Sequence, residues 1–181
     1  MTYPIHTLSS VPEASQPVLA QLQQAFGIVP NIAGAMANSP ELLKGFWGLF
    51  QQVHSGTFTE AEIQTLLLTN AVTNGCNWAV AFHSMLALKE GLSEADVEAI
   101  RTGALPADAR LSALSYLARR LIETRGHVAA QDLQSFIAAG FTRAQSLEIL
   151  GVTAASTITN YGGTITQPPL EDFLLPHRWQ A

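Results

Sequence analysis

The sequence predicts an all-α fold. Capping residues recur ahead of apolar runs spaced along one helix face, glycines stand where those runs stop, and strand-like alternation hardly appears. Read together, these signals give about eight helices in a single domain over residues 1–181.

Residues 1–14 read as an extended arm containing Pro4 and Pro12. A first helix covers Gln16 to Phe26 and stops at Gly27. Val29 precedes Pro30, which disfavours helical backbone there, so the chain turns into a connection. Ser39-Pro40 then supplies an N-cap with proline at the first helical position. The helix that follows sets Leu42, Leu43, Phe46, Leu49, Phe50 and Val53 on one face and ends at Gly56.

Thr59-x-x-Glu62 has the form of a capping box. The helix it opens carries Ile63, Leu66, Leu67, Asn70 and Ala71 on one face, widened by Leu68 and Val72, and is expected to be buried on most sides. Asn74-Gly75 breaks it. The next helix runs from about Cys76 to Lys89 and is stopped by Gly91. Ser93-x-x-Asp96 starts a short helix to Arg101, and residues 108–126 and 129–140 form two further amphipathic helices. Thr142-x-x-Gln145 caps the last long one, through Leu147, Leu150, Val152 and Ile158, and the tail from Gln167 is irregular. Gly91-Leu92-Ser93-Glu94-Ala95 is echoed by Gly140-Phe141-Thr142-Arg143-Ala144, one αα-corner used twice.

Composition limits the function classes. Apolar residues make up 48% and charged residues 13%, enough for a sizeable core and so poor in solvating side chains that self-association is expected. Net charge is −5, and the nine Lys and Arg are scattered, so no basic face is available for nucleic acid. A lone cysteine makes no internal disulfide, no apolar run is long enough to span a membrane, and the first residues lack a leader pattern; the expected location is cytoplasmic. The five histidines show no metal-ligand spacing, so neither a metal nor a cofactor is expected. Gly162-Gly163 lacks the strand-to-helix context of a phosphate loop, and no Gly-x-Ser-x-Gly elbow occurs.

Chemistry concentrates in Asn74-Gly75-Cys76-Asn77-Trp78-Ala79-Val80-Ala81-Phe82-His83. A thiol in the first turn of a helix meets unpaired N–H groups and the positive dipole end, which favour thiolate. His83 follows seven residues on, about 700° round the helix and so on the same face, with the backbones roughly 10 Å apart. A direct hydrogen bond is out of reach, and a water, a substrate or another side chain has to bridge. The alternative is a buried thiol and a hydrogen-bonded core histidine. Trp47, Trp78 and Phe82 are candidate pocket walls, or core, and Asn160-Tyr161 is a candidate polar edge, or a satisfied helix end.

This stretch resembles the signature of the alkylhydroperoxidase D and carboxymuconolactone decarboxylase superfamily, in which a buried glutamate-bearing helix leads through Asn-Gly into Cys-x-x-Cys-x-x-x-His. Asn74, Gly75, Cys76 and His83 match it. The resemblance extends to Gly27–Ile32 with Asn38–Leu43, and to Leu147–Leu150 with Thr159-Asn160-Tyr161, which look like the peroxidase-related branch. It implies an alkylhydroperoxidase D-like helical bundle and a homo-oligomer. In the complete motif the paired thiols reduce a peroxide and close a disulfide, while glutamate and histidine move protons through water.

Two departures fall on that chemistry. The second cysteine is Ala79, and the glutamate twelve residues before the first cysteine is Gln64. Alanine closes no disulfide and glutamine is no base. Glu62 points to nearly the opposite side of its helix and is committed to the Thr59 cap, so it is no substitute. The resemblance therefore implies a peroxidase-like antioxidant oxidoreductase with a degenerate motif, at most one-cysteine chemistry at Cys76 with His83 and an external thiol reductant. The alternatives are a non-redox decarboxylase-like lyase with His83 as general acid or base on a small organic acid, and a catalytically silent small-ligand binder. Cys76 and His83 are the candidate catalytic pair, sharing one cavity; Gln64, Trp78, Ala79 and Tyr161 are the candidate pocket residues.

Overall fold

The computed structural model of the protein describes residues 2–180. Among them, eight helices have seven or more residues, and no strand is present. The helices are α1 (Gln16–Phe26), α2 (Asn31–Met36), α3 (Pro40–His54), α4 (Glu60–Thr73), α5 (Asn77–Lys89), α6 (Glu94–Arg101), α7 (Ala109–Glu123), α8 (Ala130–Ala138) and α9 (Arg143–Thr166).

The caps read from the sequence hold four of the starts. Ser39 Oγ accepts from Leu42 N–H at 3.3 Å, Ser93 Oγ from Asp96 N–H at 3.0 Å, and both Thr59–Glu62 and Thr142–Gln145 close complete capping boxes. Such caps contribute about 1 kcal/mol each. Both predicted αα-corners form alike: Gly91 and Gly140 take φ of 94° and 93°, the apolar residue after each is buried, and a hydroxyl cap follows.

α4 runs through the middle, packed on α5, α7 and α9, and every residue from Glu62 to Ala71 is buried. Its hydroxyls are satisfied inside: Thr65 donates to Ala61 O at 2.8 Å and Thr69 to Ser115 Oγ at 2.8 Å. Leu68 and Ala71 face a cluster with α1, α2, α3 and α5; Ile63 and Leu66 face a second with α7, α8 and α9. Each buried aliphatic side chain contributes roughly 1.5–3 kcal/mol.

Several expectations are corrected. Leu42, Leu147 and Leu150 are exposed; Trp47 replaces Leu42 on the buried face of α3, and on α9 the expected Val152 is buried together with Ile149, Ala155, Ser156 and Asn160. A face read at ideal spacing rotates when neighbours lie on the other flank, and α9 is flanked by α2, α3 and α4. The connection after Pro30 contains the six-residue α2. The arm includes a 3₁₀ turn at Glu13–Ser15, and His6 N–H donates to Gly34 O at 3.1 Å, an approach so close that a Cβ on Gly34 would lie 2.5 Å from His6 O. The tail is ordered: Asp172–His177 is a 3₁₀ helix on α5 with Leu174 fully buried.

Candidate functional site

α4 and α5 meet through Asn74-Gly75-Cys76. Gly75 adopts φ of 67°, the left-handed conformation a glycine takes without strain, and Cys76 N–H donates back to Ala71 O at 3.0 Å. Cys76 is the residue before the first turn, not within it as expected: its carbonyl starts α5 by accepting from Val80 N–H at 2.9 Å. The turn folds α5 back along α4 and sets His83 opposite Gln64.

His83 is 7% exposed, and its Nδ1 lies 3.0 Å from Gln64 Oε1. An amide oxygen only accepts, so Nδ1 carries the proton and Nε2 presents its lone pair. Burial, with a smaller push from His54, drives the imidazole pKa from 6.5 down to about 3. The ring is therefore neutral at physiological pH.

His83 and Ala79 line a cavity of about 50 Å³ with Phe26, Met36, Phe50, Trp78 and Phe82 among its walls. A water needs about 10–15 Å³, so the space takes a few non-hydrogen atoms as it stands, and Met36 is a side chain that yields easily. Phe82 stacks on Trp78 at 4.9 Å and meets the edge of Phe26 at 5.8 Å. No lining residue is charged. Ser156 donates to Thr153 O at 3.0 Å and accepts from Asn70 Nδ2 at 2.8 Å, and Thr159 donates to Ser156 O at 3.0 Å, so the protons of both wall hydroxyls are engaged and only remaining lone pairs face a guest. The polar points of this cavity are acceptors.

Cys76 stands elsewhere. It is 2% exposed and lines a separate, polar cleft of about 420 Å³ with Thr164, Gln167 and Pro168; Trp78 lies on both spaces. The expectation of one cavity shared by Cys76 and His83 is corrected: at the N-cap the thiol turns toward α9, where a Cβ on Gly163 would sit 2.8 Å from its sulfur. The expected thiolate is corrected too. Burial raises the Cys76 pKa above the ordinary thiol value of 9.0, and the opposing pull of the Ala79 and Trp78 amides and the Thr164 hydroxyl is smaller. Desolvation wins over the helix end.

Of the other predicted residues, Trp78 and Ala79 line the His83 cavity, while Gln64 does not line it and is bonded to His83 Nδ1. Tyr161 does not: it is 55% exposed on the outer side of α9, and the buried neighbour is Asn160. Trp47 does not line the cavity; its indole donates to Gln21 Oε1 at 2.5 Å. Glu62 is committed as predicted, accepting from Thr59 N–H at 2.9 Å and from Arg110 Nε at 2.6 Å. Ser156 and Glu171 were not singled out in the sequence, and Thr159 entered only through the resemblance, since only packing brings α9 and the tail to α5.

Residues 40–119, from α3 into α7, match the carboxymuconolactone decarboxylase family. The fold is similar to that of an alkylhydroperoxidase AhpD core, an uncharacterised peroxidase-related protein from Ralstonia eutropha JMP134, with a TM-score of 0.84 and 18% identity over 99% of this chain and 97% of that one. It is also similar to the debrominase Bmp8, with a TM-score of 0.78 and 17% identity over 98% and 95% of the two chains. A Cys→Ala variant of that debrominase, in complex with 2,3,4-tribromopyrrole, aligns with a TM-score of 0.75 and 15% identity over 98% and 95%. Among curated proteins, none is detectably similar in sequence. No helix among the described residues is long and apolar enough to cross a membrane.

Proposed function

We propose that this chain, an alkylhydroperoxidase D-like protein with a carboxymuconolactone decarboxylase segment over residues 40–119, binds a compact, neutral, apolar molecule that carries one N–H or O–H donor. The guest's donor bonds to Nε2 of His83 and its body lies against Phe26, Phe82 and Trp78. The observation that carries this reading is a neutral imidazole, fixed by Gln64, in an uncharged cavity whose polar points only accept. A carboxylate would be buried there without a counter-charge, which argues against a small organic acid. An imidazole with a pKa of about 3 is a weak general base, so His83 serves to recognise and orient. A tribromopyrrole, the ligand of the debrominase variant, is a ring with one N–H donor.

Calorimetry with pyrrole and N-methylpyrrole tests this. Binding of pyrrole that weakens about tenfold on N-methylation and again in His83→Leu is the expected result, since one hydrogen bond is at stake. Equal binding of the two rings, or none of either, refutes it.

A second reading, a one-cysteine peroxidase-like oxidoreductase, is favoured by one observation: Cys76 borders an open polar cleft beside Thr164. Its thiolate would attack a peroxide oxygen, the O–O bond would break with release of an alcohol, and two equivalents of an external thiol would return the sulfenic acid to thiol as they form a disulfide and water. Dimedone trapping after peroxide treatment, lost in Cys76→Ala, supports it; no adduct at millimolar peroxide removes it. Two-thiol turnover is not part of either reading, because Ala79 occupies the cavity-facing position.

We also propose that the outer face of α9 is covered by a second copy of the chain. Leu147, Leu150, Tyr161 and Ile165 are exposed along it, and Glu148, the sole charge from residue 144 to 166, is engaged by the Thr57 N–H and hydroxyl.

A further inference from the structure

We propose that Trp78 is the partition between the thiol and the imidazole, and that Glu171 from the C-terminal tail is the positioning residue that latches it. Trp78 borders both the cavity of His83 and the cleft of Cys76, while Cys76 borders only the cleft and His83 only the cavity. One face of its indole stacks on Phe82, with 20° between the planes. Its N–H donates to Glu171 Oε2 at 3.0 Å, and the other carboxylate oxygen accepts from Asn31 N–H, the first of α2, at 2.7 Å.

The carboxylate thus ties the wall of α5 to the start of α2, and both bonds are charge-assisted and correspondingly strong. The segment that carries it is itself anchored on either side. Asn31 Nδ2 donates to Pro169 O at 3.0 Å, Leu174 is fully buried, and Arg101 donates to His177 O at 3.0 Å and to Arg178 O at 2.9 Å. A tryptophan held at its tip by an anchored strap keeps one rotamer. Released from Glu171, the same side chain has the cleft on one side to move into, and its movement joins thiol and imidazole in one space. The partition exists whichever molecule the His83 cavity takes.

Cys76 is the sole cysteine, so its alkylation by N-ethylmaleimide, followed by mass spectrometry, reads the latch directly. Loss of the charge-assisted bond in Glu171→Ala is expected to speed alkylation by about tenfold. Trp78→Phe, which keeps the bond from Glu171 to Asn31, is expected to do the same, and Glu171→Gln, whose single acceptor oxygen cannot serve both the indole and Asn31 N–H, to fall between the wild type and Glu171→Ala. The alkyl group is expected to shift the His83 imidazole resonances in Glu171→Ala and to leave them unmoved in the wild type. Wild-type rates in both Glu171→Ala and Trp78→Phe overturn the proposal. Acceleration in Glu171→Ala alone also overturns it, assigning the effect to a loosened tail, and so do His83 resonances indifferent to the adduct in every variant. Urea unfolding identifies a variant that has lost its fold, and Trp78→Phe then carries the test.

Discussion

Lowering the pH from 7 to 4 is expected to destabilise the protein through His83 by about 3 kcal/mol. The folded ring takes a proton only near pH 3, against 6.5 for the free side chain, because it is buried in an uncharged cavity. Between those values the unfolded chain binds one more proton than the folded one, so stability falls as pH falls, by about 1.4 kcal/mol per unit. From 6.5 down to 4 the span is about 2.5 units, which gives the figure of about 3 kcal/mol, and above pH 6.5 the contribution is fully present. The assay is urea unfolding of wild type and His83→Asn at pH 7 and pH 4. Carboxylates titrate in both proteins and cancel in the comparison, so the wild type should lose about 3 kcal/mol more than the variant. Parallel losses, within about 0.5 kcal/mol of each other, would refute the neutral buried imidazole and with it the acceptor site.

Gln64→Glu places a carboxylate against Nδ1, and with the two charge centres about 4 Å apart an effective dielectric near 20 gives about 4 kcal/mol, or about 3 pKa units upward. The imidazole ¹⁵N shifts should then report a protonated ring at pH 5, and a ring still neutral there would sink the assignment of Gln64 as its controlling partner. Gly163→Ala gains about 1 kcal/mol of helix propensity but sets a methyl 2.8 Å from the Cys76 sulfur and 3.2 Å from Ile32 Cδ1. Overpacking of about 1–3 kcal/mol should outweigh the gain in thermal unfolding, and should shrink in a Cys76→Ala background. On the outer face of α9, Leu150→Lys with Ile165→Lys is expected to convert an oligomer to a monomer in light scattering; an unchanged mass would move the interface elsewhere.

The caps, the glycine stops and the largely buried α4 were legible in the chain order because each is a local event: Thr59 meets Glu62, and Gly75 turns left, within a few residues. The short α2 escaped that reading because it is too brief for periodicity and is held by Glu171 across the fold. At the site, Gln64 and His83 meet at 3.0 Å, and Ala79 lines the same cavity as His83. Helical arithmetic set Cys76 and His83 on one face, but the N-cap backbone at Cys76 departs from the helix, with ψ of 97°, and the sulfur turns to Gly163. Tyr161 failed for a similar reason, since α9 presents its other side to α4.

By itself the amino-acid order determined the longer helices, most of their limits and the placing of an alanine at 79 and an amide at 64, all of which depend on residues close in the chain. Only tertiary packing decided where the thiol faces, how dry the imidazole is and that a tail residue nearly a hundred positions away holds Trp78. Burial and desolvation are properties of what surrounds a group. Here the surroundings come from α1, α2, α3 and α9, as well as the tail, and no spacing within α5 encodes them.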